Sequence, residues 1–203
     1  MFVDAVKLKA PAKKNAEIFP NNFEEATILR LLMQFGHIEL ELKTEQEVKK
    51  GEKVNTQKIS IAEYIIGDLN DEDIRFDNPK HQLILATFQE KIQEGEIPTE
   101  KFFLRSSESD MVRQVIEITD QPHELGNWKK HSIFVTTEEN KIRLAVNNAL
   151  NTLKLAKVKQ QITKITTQIE SGEFSEEIDV LINQLTLLNN AKKTFSQTLG
   201  RNL

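Results

Sequence analysis

Cysteine is absent from the 203-residue sequence, and glycine and proline are scarce, with 7 and 5 residues respectively. The absence of cysteine excludes disulfide bonds, thiolate zinc sites and cysteine nucleophiles. Few glycines and prolines mean few turns and long secondary-structure elements, which favours an all-α fold over a sandwich or barrel. No apolar run approaches the roughly 20 residues of a membrane span, and no secretory signal peptide is evident. We therefore expect a cytoplasmic protein without a membrane partner.

The sequence also lacks a basic excess and the common catalytic motifs. Its net charge is −4 and its isoelectric point is near 5.7, which argues against a dedicated nucleic-acid surface. It has no glycine-rich phosphate loop and no serine-nucleophile elbow. The four histidines are isolated from each other and from suitably spaced acids, so we interpret them as surface or core residues. The sequence therefore predicts no catalytic residue, no metal site and no cofactor in this chain.

The first 20 residues differ in pattern from the region that follows them. Residues 1–20 mix lysine, alanine and proline without a helical or strand period, which is typical of a linker. A helix is then predicted from Phe23 to Phe35, with Asn22 as its N-cap and apolar residues on most sides. The sequence thus predicts a linker followed by a helical bundle over residues 21–153.

Two later helices of the bundle carry clear start signals. Ser60 and Glu63 have the spacing of a capping box, in which each side chain accepts a hydrogen bond from the backbone of the other residue. Asn78 followed by Pro79 is typical of an N-cap and a first helical position. We therefore expect one helix to begin just after Ser60 and another to begin at Pro79.

The segment between the first two helices has a different period. Around a Lys- and Gly-rich centre, apolar residues alternate with polar ones over residues 38–42 and again over residues 59–61. A period of two is typical of strands, so we expect a small β-hairpin insertion near residues 38–61. A short helix ending at Gly51 is the alternative interpretation.

The last third of the sequence predicts two long helices joined at Gly172. The apolar stripe of the first helix shifts to another face near Leu155, as expected if one end packs on the bundle and the other on the last helix. In the last helix, apolar residues recur at alternating spacings of three and four, interrupted only by Lys192. These recurring residues are Ile178, Leu181, Leu185, Leu188, Phe195 and Leu199. We therefore expect a C-terminal helical hairpin over residues 154–203.

The hairpin offers two candidate contact surfaces. Acidic residues cluster at its tip, where they either solvate the turn or meet a basic partner. Val180 and Leu187 are seven residues apart and lie off the packed stripe, so core packing does not explain them. The predicted partner-binding residues are Glu173, Phe174, Glu177, Val180, Leu187, Phe195 and Leu199.

Charged residues elsewhere suggest two further interpretations. The segment DLNDEDIRFD gathers acids that could hold Mg²⁺, but it lies between two predicted helices, where acids are ordinary loop residues. Lysines of the long helix could serve a nucleic-acid-binding module, which would use Lys154, Lys157, Lys159 and Lys164. The acidic net charge and the acid-rich tip argue against this module.

Five short motifs occur in a fixed order between residue 23 and the C-terminus: ATILRLLMQFG, FDNP, HELGNW, LKLAKVKQQI and LGR. Together they resemble the C-terminal region of DnaG-type bacterial DNA primases, and they are most like the Bacteroidetes-like branch. The chain departs from the family in its longer segment near residues 38–61 and in its LGRNL terminus. The second departure affects the contacts expected at the end of the last helix.

The resemblance implies a helicase-binding domain. In that family, a helical bundle is followed by a long helix and a hairpin that docks on the hexameric DnaB-type replicative helicase. This contact brings the primase to the replication fork for RNA primer synthesis, so DNA is involved only indirectly. The zinc-binding and Toprim catalytic domains of the family are missing here. We therefore expect a chain that is not itself an enzyme, in a parent protein that is a DNA primase, a nucleotidyltransferase of the DNA-directed RNA polymerase type.

Two alternatives stand beside this assignment. One is the N-terminal domain of the replicative helicase itself, whose bundle also pairs through a hairpin. The basic, proline-containing segment at the N-terminus favours the primase, since the helicase domain would begin its chain and precede a motor. The other alternative is the helical nucleic-acid-binding module that uses the lysines of the long helix.

Overall fold

The computed structural model describes residues 22–43, 56–120, 138–172 and 178–200. Within these ranges the elements are α1 (Phe23–Phe35), β1 (Glu39–Lys43), β2 (Thr56–Ser60), α2 (Ile61–Asp71), α3 (Pro79–Gln93), α4 (Glu100–Leu104), α5 (Ser109–Thr119), α6 (Glu138–Ser171) and α7 (Ile178–Thr198). The predicted all-α fold with a small β-hairpin is confirmed. The predicted linker, residues 1–20, lies outside the described residues. No helix of the described ranges is long and apolar enough to cross a membrane.

Helix α1 is the central element of the bundle. It packs against α2, α3, α5 and α6, so apolar side chains on most sides of it are buried, as its composition predicts. Ile28, Leu29 and Leu32 are fully enclosed. Arg30 on the same helix donates from Nε to the Ile118 carbonyl of α5 at 2.9 Å, and burial of its guanidinium lowers its pKa. The hydrophobic effect acting on α1 therefore assembles the bundle around one helix.

The starts of α2 and α3 follow the predicted capping chemistry. Glu63 N–H donates to Ser60 Oγ at 3.1 Å and Ser60 N–H donates to Glu63 Oε2 at 2.9 Å. The Ser60 hydroxyl also donates to Glu63 Oε2 at 2.6 Å, and the two bonds that the Glu63 carboxylate accepts from the Ser60 side chain and backbone lower the pKa of Glu63. Asn78 Oδ1 accepts from Lys80 N–H at 2.9 Å, with Pro79 in the first helical position. Asn22 occupies the N-cap position of α1 but forms no side-chain capping bond, so that prediction is wrong in its chemistry.

The two strands form an antiparallel pair in which Leu40 faces Ile59. The β-hairpin prediction is therefore confirmed, whereas the alternative of a short helix ending at Gly51 falls on residues outside the described ranges. The end of α1 is joined closely to the start of α2, because the Gly36 carbonyl accepts a hydrogen bond from Ala62 N–H at 3.0 Å. A Cβ atom at Gly36 would lie 2.3 Å from the carbonyl oxygen of Leu32 and 3.2 Å from Cβ of Ala62. A side chain at this position would therefore clash with the last turn of α1 and crowd the start of α2.

Helix α6 has 34 residues and is about 51 Å long at 1.5 Å per residue. Its first half belongs to the bundle, where Val146, Leu150 and Leu153 join the main core cluster. Leu155 and Ile165 are also buried but lie outside that cluster. The predicted change of packing partner near Leu155 is therefore observed, while the division into two subdomains stays a prediction.

Candidate docking surface

Helix α7 packs on α6, and the two helices form a helical hairpin. The packed side of α7 begins at Leu181, which is buried, and continues through partly buried residues to the end of the helix. These partly buried residues include Leu185, Leu188, Phe195 and Leu199. The predicted stripe is confirmed from Leu181 onward, but the prediction for Ile178 is wrong. Because Ile178 is the first residue of α7, it has helical neighbours only on its C-terminal side.

Four large apolar side chains of α7 are exposed, and we call them the α7 apolar surface. Ile178, Val180, Ile182 and Leu187 have exposed fractions of 45%, 43%, 49% and 70%. At about 100° per residue, Val180 and Leu187 lie on one flank of α7 and Ile182 lies on the other. Val180 and Leu187 thus lie outside the helix pair's interface, as predicted, and their role in binding stays a prediction. Ile182 is missing from the predicted residues, although its place one residue after Leu181 moves it off the packed stripe.

The middle of α7 is uncharged. From Val180 to Ala191 the sequence contains no acidic and no basic residue. Two of its polar side chains also bond to their own helix: Thr186 Oγ1 donates to the Ile182 carbonyl at 3.0 Å and Asn189 Nδ2 donates to the Leu185 carbonyl at 2.8 Å. Because these two donors already have acceptors, burying them against a partner leaves neither donor unsatisfied. The surface suits an apolar, neutral partner.

The other predicted binding residues have different positions. Glu173, Phe174 and Glu177 lie outside the described residues, so the acidic tip of the hairpin stays a prediction. Phe195 and Leu199 are half-buried on the packed side of α7. Truncating either of them would disturb the helix pair as well as any contact with a partner. The α7 apolar surface is therefore the part of the candidate site that can be tested separately from folding.

Two of the lysines proposed for nucleic-acid binding are instead paired within the protein. The Lys154 side chain, 8% exposed, places Nζ 2.9 Å from Asp68 Oδ2 and 2.7 Å from Glu72 Oε1. Burial alone would lower the pKa of Lys154, but the hydrogen bonds to Glu72 and Asp68 outweigh it and raise the pKa above its ordinary value. Lys154 is therefore a charged, internally neutralised residue rather than a free cation.

Lys157, one turn further along α6, reaches a second group of acids. Its Nζ lies 2.8 Å from Asp77 Oδ2 and 3.3 Å from Glu25 Oε1. Glu25, in the first turn of α1, is 2% exposed and also accepts from the backbone N–H groups of Asp77 and Asn78. His81 Nδ1 lies 3.1 Å from Glu25 Oε2. A buried carboxylate requires this many donors, because an unpaired buried charge is costly.

These contacts form two neighbouring groups of ion pairs at the place where α6 leaves the bundle core, and we call them together the ion-pair network. We define it as Lys154, Lys157, Glu25, Asp68, Glu72 and Asp77. Three acids of the segment considered for Mg²⁺ are thus occupied by lysines, and no group of three or more metal-ligand side chains occurs within the described residues. Lys159 and Lys164 are exposed. The basic surface available for nucleic acid is correspondingly reduced.

The chain matches the protein-family model described as Domain of unknown function (DUF8430) over residues 9–202. The chain belongs to this family. The matched range takes in the residues of the bundle, the ion-pair network and the hairpin. No curated protein and no solved structure matches the chain. The case for a function therefore depends on the residues of this chain.

Proposed function

We propose that the chain is the helicase-interaction domain of a DnaG-type bacterial DNA primase. In this role it recruits the primase to the hexameric DnaB-type helicase at the replication fork, where RNA primers are made. The observation that carries the proposal is the α7 apolar surface, four exposed apolar side chains within ten residues of one helix. The order of the five primase-like motifs along the chain supplies the identity of the partner.

The position of the α7 apolar surface supports a docking role. Helix α7 packs mainly on α6, so its flanks face away from the bundle core. Single exposed apolar residues are common on soluble proteins, whereas apolar residues that share one flank of a helix, as Val180 and Leu187 do, are more typical of an interaction surface. Leu187, which is 70% exposed, has the most apolar area to gain by burial, at roughly 25 cal/mol per Å².

The charge distribution favours this role over the nucleic-acid-binding alternative. Lys154 and Lys157 are neutralised by acids of the bundle, and a nucleic-acid surface needs unpaired cations that contact phosphates. The uncharged middle of α7 would contribute nothing to such contacts. A protein partner with an apolar face fits the exposed side of the hairpin better.

The test is the affinity of the chain for the replicative helicase of its own organism. We expect Val180→Glu combined with Leu187→Glu to weaken binding at least five- to thirtyfold, equivalent to about 1–2 kcal/mol. Isothermal titration calorimetry measures the affinity, and circular dichroism checks that helix content and melting are nearly unchanged. The matched control is Ile116→Glu on α5, because Ile116 is also 48% exposed. This control is expected to bind normally.

Two results would contradict the proposal. If the parent chain does not bind the helicase, the assignment to a primase fails. If the folded double variant binds as tightly as the parent chain, the α7 apolar surface is not the contact, and the tip or the ends near Phe195 and Leu199 become the candidates. We also expect the chain alone to make no RNA primers on a single-stranded template with Mg²⁺ and nucleotides.

A further inference from the structure

The ion-pair network occupies a particular place along α6. Leu153 is the last residue of α6 in the bundle core cluster, and the two lysines follow it directly. Lys154 and Lys157 are three residues apart, so they lie on the same face of the helix. Their carboxylate partners belong to three parts of the bundle: the first turn of α1, the end of α2, and the connection between α2 and α3. The side-chain contacts that α6 makes with the bundle after Leu153 thus include these ion pairs.

We propose that Lys154 and Lys157 are positioning residues that fix the direction in which the hairpin leaves the bundle. Two ammonium groups on one face of α6, held by acids of three separate parts of the bundle, restrain both the tilt and the rotation of the helix. A single apolar contact would restrain these movements less, since apolar packing has no directional preference. The effect of this restraint on helicase binding rests on the proposed function. The claim that the lysines fix the direction of the hairpin concerns this chain alone.

The length of α6 beyond the network makes this restraint matter. Fourteen residues separate Lys157 from Ser171, the last residue of α6, which corresponds to about 21 Å. A rotation of roughly 10° at the network therefore moves the end of α6 by about 4 Å. Such a displacement exceeds what a docked interface tolerates, because a shift comparable to a side-chain contact distance separates the packed atoms.

The network would become repulsive without its lysines. The carboxylates of Asp68 and Glu72 would lose the ammonium group that lies between them, and so would the carboxylates of Glu25 and Asp77. Like charges at such distances repel, and the partly exposed acids would turn toward water. Helix α6 would then keep its apolar contacts at Val146, Leu150 and Leu153 but lose the restraint that the ion pairs place on its direction.

The test measures the distance between bundle and hairpin in the chain alone. Because the sequence has no cysteine, Glu90→Cys on α3 and Thr167→Cys on α6 provide two unique spin-label sites, both exposed. Pulsed electron paramagnetic resonance then gives the distribution of label distances. In Lys154→Met combined with Lys157→Met we expect a shift or broadening of about 4 Å or more, as a 10° rotation produces. Lys154→Arg combined with Lys157→Arg, which keeps both charges, should stay closer to the parent distribution.

The matched control is Lys159→Met combined with Lys164→Met, which removes two exposed lysines from the same helix. Its distance distribution should equal that of the parent chain. A folded Met double variant at Lys154 and Lys157 with an unchanged distribution would overturn the proposal. Should that variant not fold, the milder pair Glu72→Gln with Asp77→Asn decides the question, because both side chains are about half exposed. An unchanged distribution in this folded pair would equally overturn it.

The measurement separates this proposal from the proposed function. It needs no helicase, so the positioning claim can succeed or fail whatever the partner is. If the helicase binds the parent chain, the Lys154 and Lys157 double variant should also lose affinity, although every residue of the α7 apolar surface is intact. A variant with a broadened distance distribution and full affinity would show that the direction of the hairpin has no effect on docking, and would overturn the functional part of the inference.

Discussion

The bundle and the hairpin bury their apolar residues to different extents. In the bundle, α1 alone contributes Ile28, Leu29 and Leu32 as fully enclosed side chains. In the hairpin, α7 has one buried apolar residue, Leu181, whereas four large apolar residues are exposed. A helix that is packed on one side only depends on a single neighbouring helix for much of its stability. A central helix is stabilised by several neighbours. The difference indicates that the bundle supplies the stable part of the domain and the hairpin supplies surface.

The two regions also use charge differently. The bundle buries the carboxylate of Glu25 and pairs it with the Lys157 ammonium group, while the middle of α7 has no charged residue at all. Buried ion pairs specify an arrangement, because a misplaced partner leaves a costly unpaired charge. An uncharged, exposed helix face specifies nothing within the chain. Its composition is explained better by a contact with another molecule.

The largest expected difference between the regions comes from removing the same side chain in each. Phe88→Ala in the bundle core should lower the free energy of unfolding by about 3–5 kcal/mol, because the enclosed ring leaves a cavity. Phe195→Ala on α7 should cost clearly less, since Phe195 is only partly buried. Urea denaturation followed by circular dichroism measures both. Equal losses would show that the hairpin is as tightly packed as the bundle, and the contrast drawn above would be wrong.

An intermediate effect is expected from the charge of Lys154 at high pH. Its pKa is raised in the folded state by Glu72 and Asp68, against the effect of burial. A raised folded pKa means that the stabilisation is complete below the ordinary pKa of lysine, about 10.4. The stabilisation is lost as the pH rises through the folded pKa. The difference in unfolding free energy between the parent chain and Lys154→Met should therefore be constant near neutral pH and shrink above about pH 10.4.

The control for this titration is Lys159→Met, whose difference from the parent chain should stay small across the same pH range. Urea denaturation at a series of pH values measures both variants. A Lys154→Met difference that is independent of pH would mean that the ion pairs do not contribute, and that the lysine acts only through the packing of its methylene chain.

The smallest expected effect concerns two helix starts inside the bundle. Ser60→Ala should cost about 1 kcal/mol, because Ser60 accepts the N–H of Glu63 and orients its carboxylate. Asn22→Ala should cost less, since Asn22 forms no side-chain capping bond. Thermal melting of both variants compares them. A larger loss for Asn22→Ala would mean that the N-cap position of α1 is stabilised by its side chain in solution.

Local features of the fold could be predicted from the sequence, and long-range ones could not. The capping residues Ser60 and Asn78 predict helix starts because the backbone N–H groups that bond to their side chains lie within three residues of them. The pairing of Lys154 with Asp68 joins residues 86 positions apart, and no local pattern distinguishes these side chains from solvated ones. Helix α4, with 5 residues, is too short to show a period of its own.

The candidate site follows the same rule. Leu187 could be predicted to lie off the packed stripe because its angular position depends only on helix geometry. Ile178 could not be placed correctly by spacing, because the pattern does not say where the packed surface ends. A lysine within the apolar stripe, such as Lys154 beside Leu153 and Leu155, is a pattern that could have predicted an acidic partner. Such a lysine must either point to solvent or find an acid.

The continuity of α6 has a mechanical consequence. The helix contains no glycine and no proline between Glu138 and Ser171, so no residue that typically kinks a helix lies between the core residue Leu153 and the end of α6. A tensile load along the axis of α6 would reach the bundle as shear. In shear, the side-chain contacts of several helical turns bear the load at the same time, whereas in peeling they would break one after another. A load on the hairpin along this axis is therefore expected to meet the resistance of several turns of α6 at once.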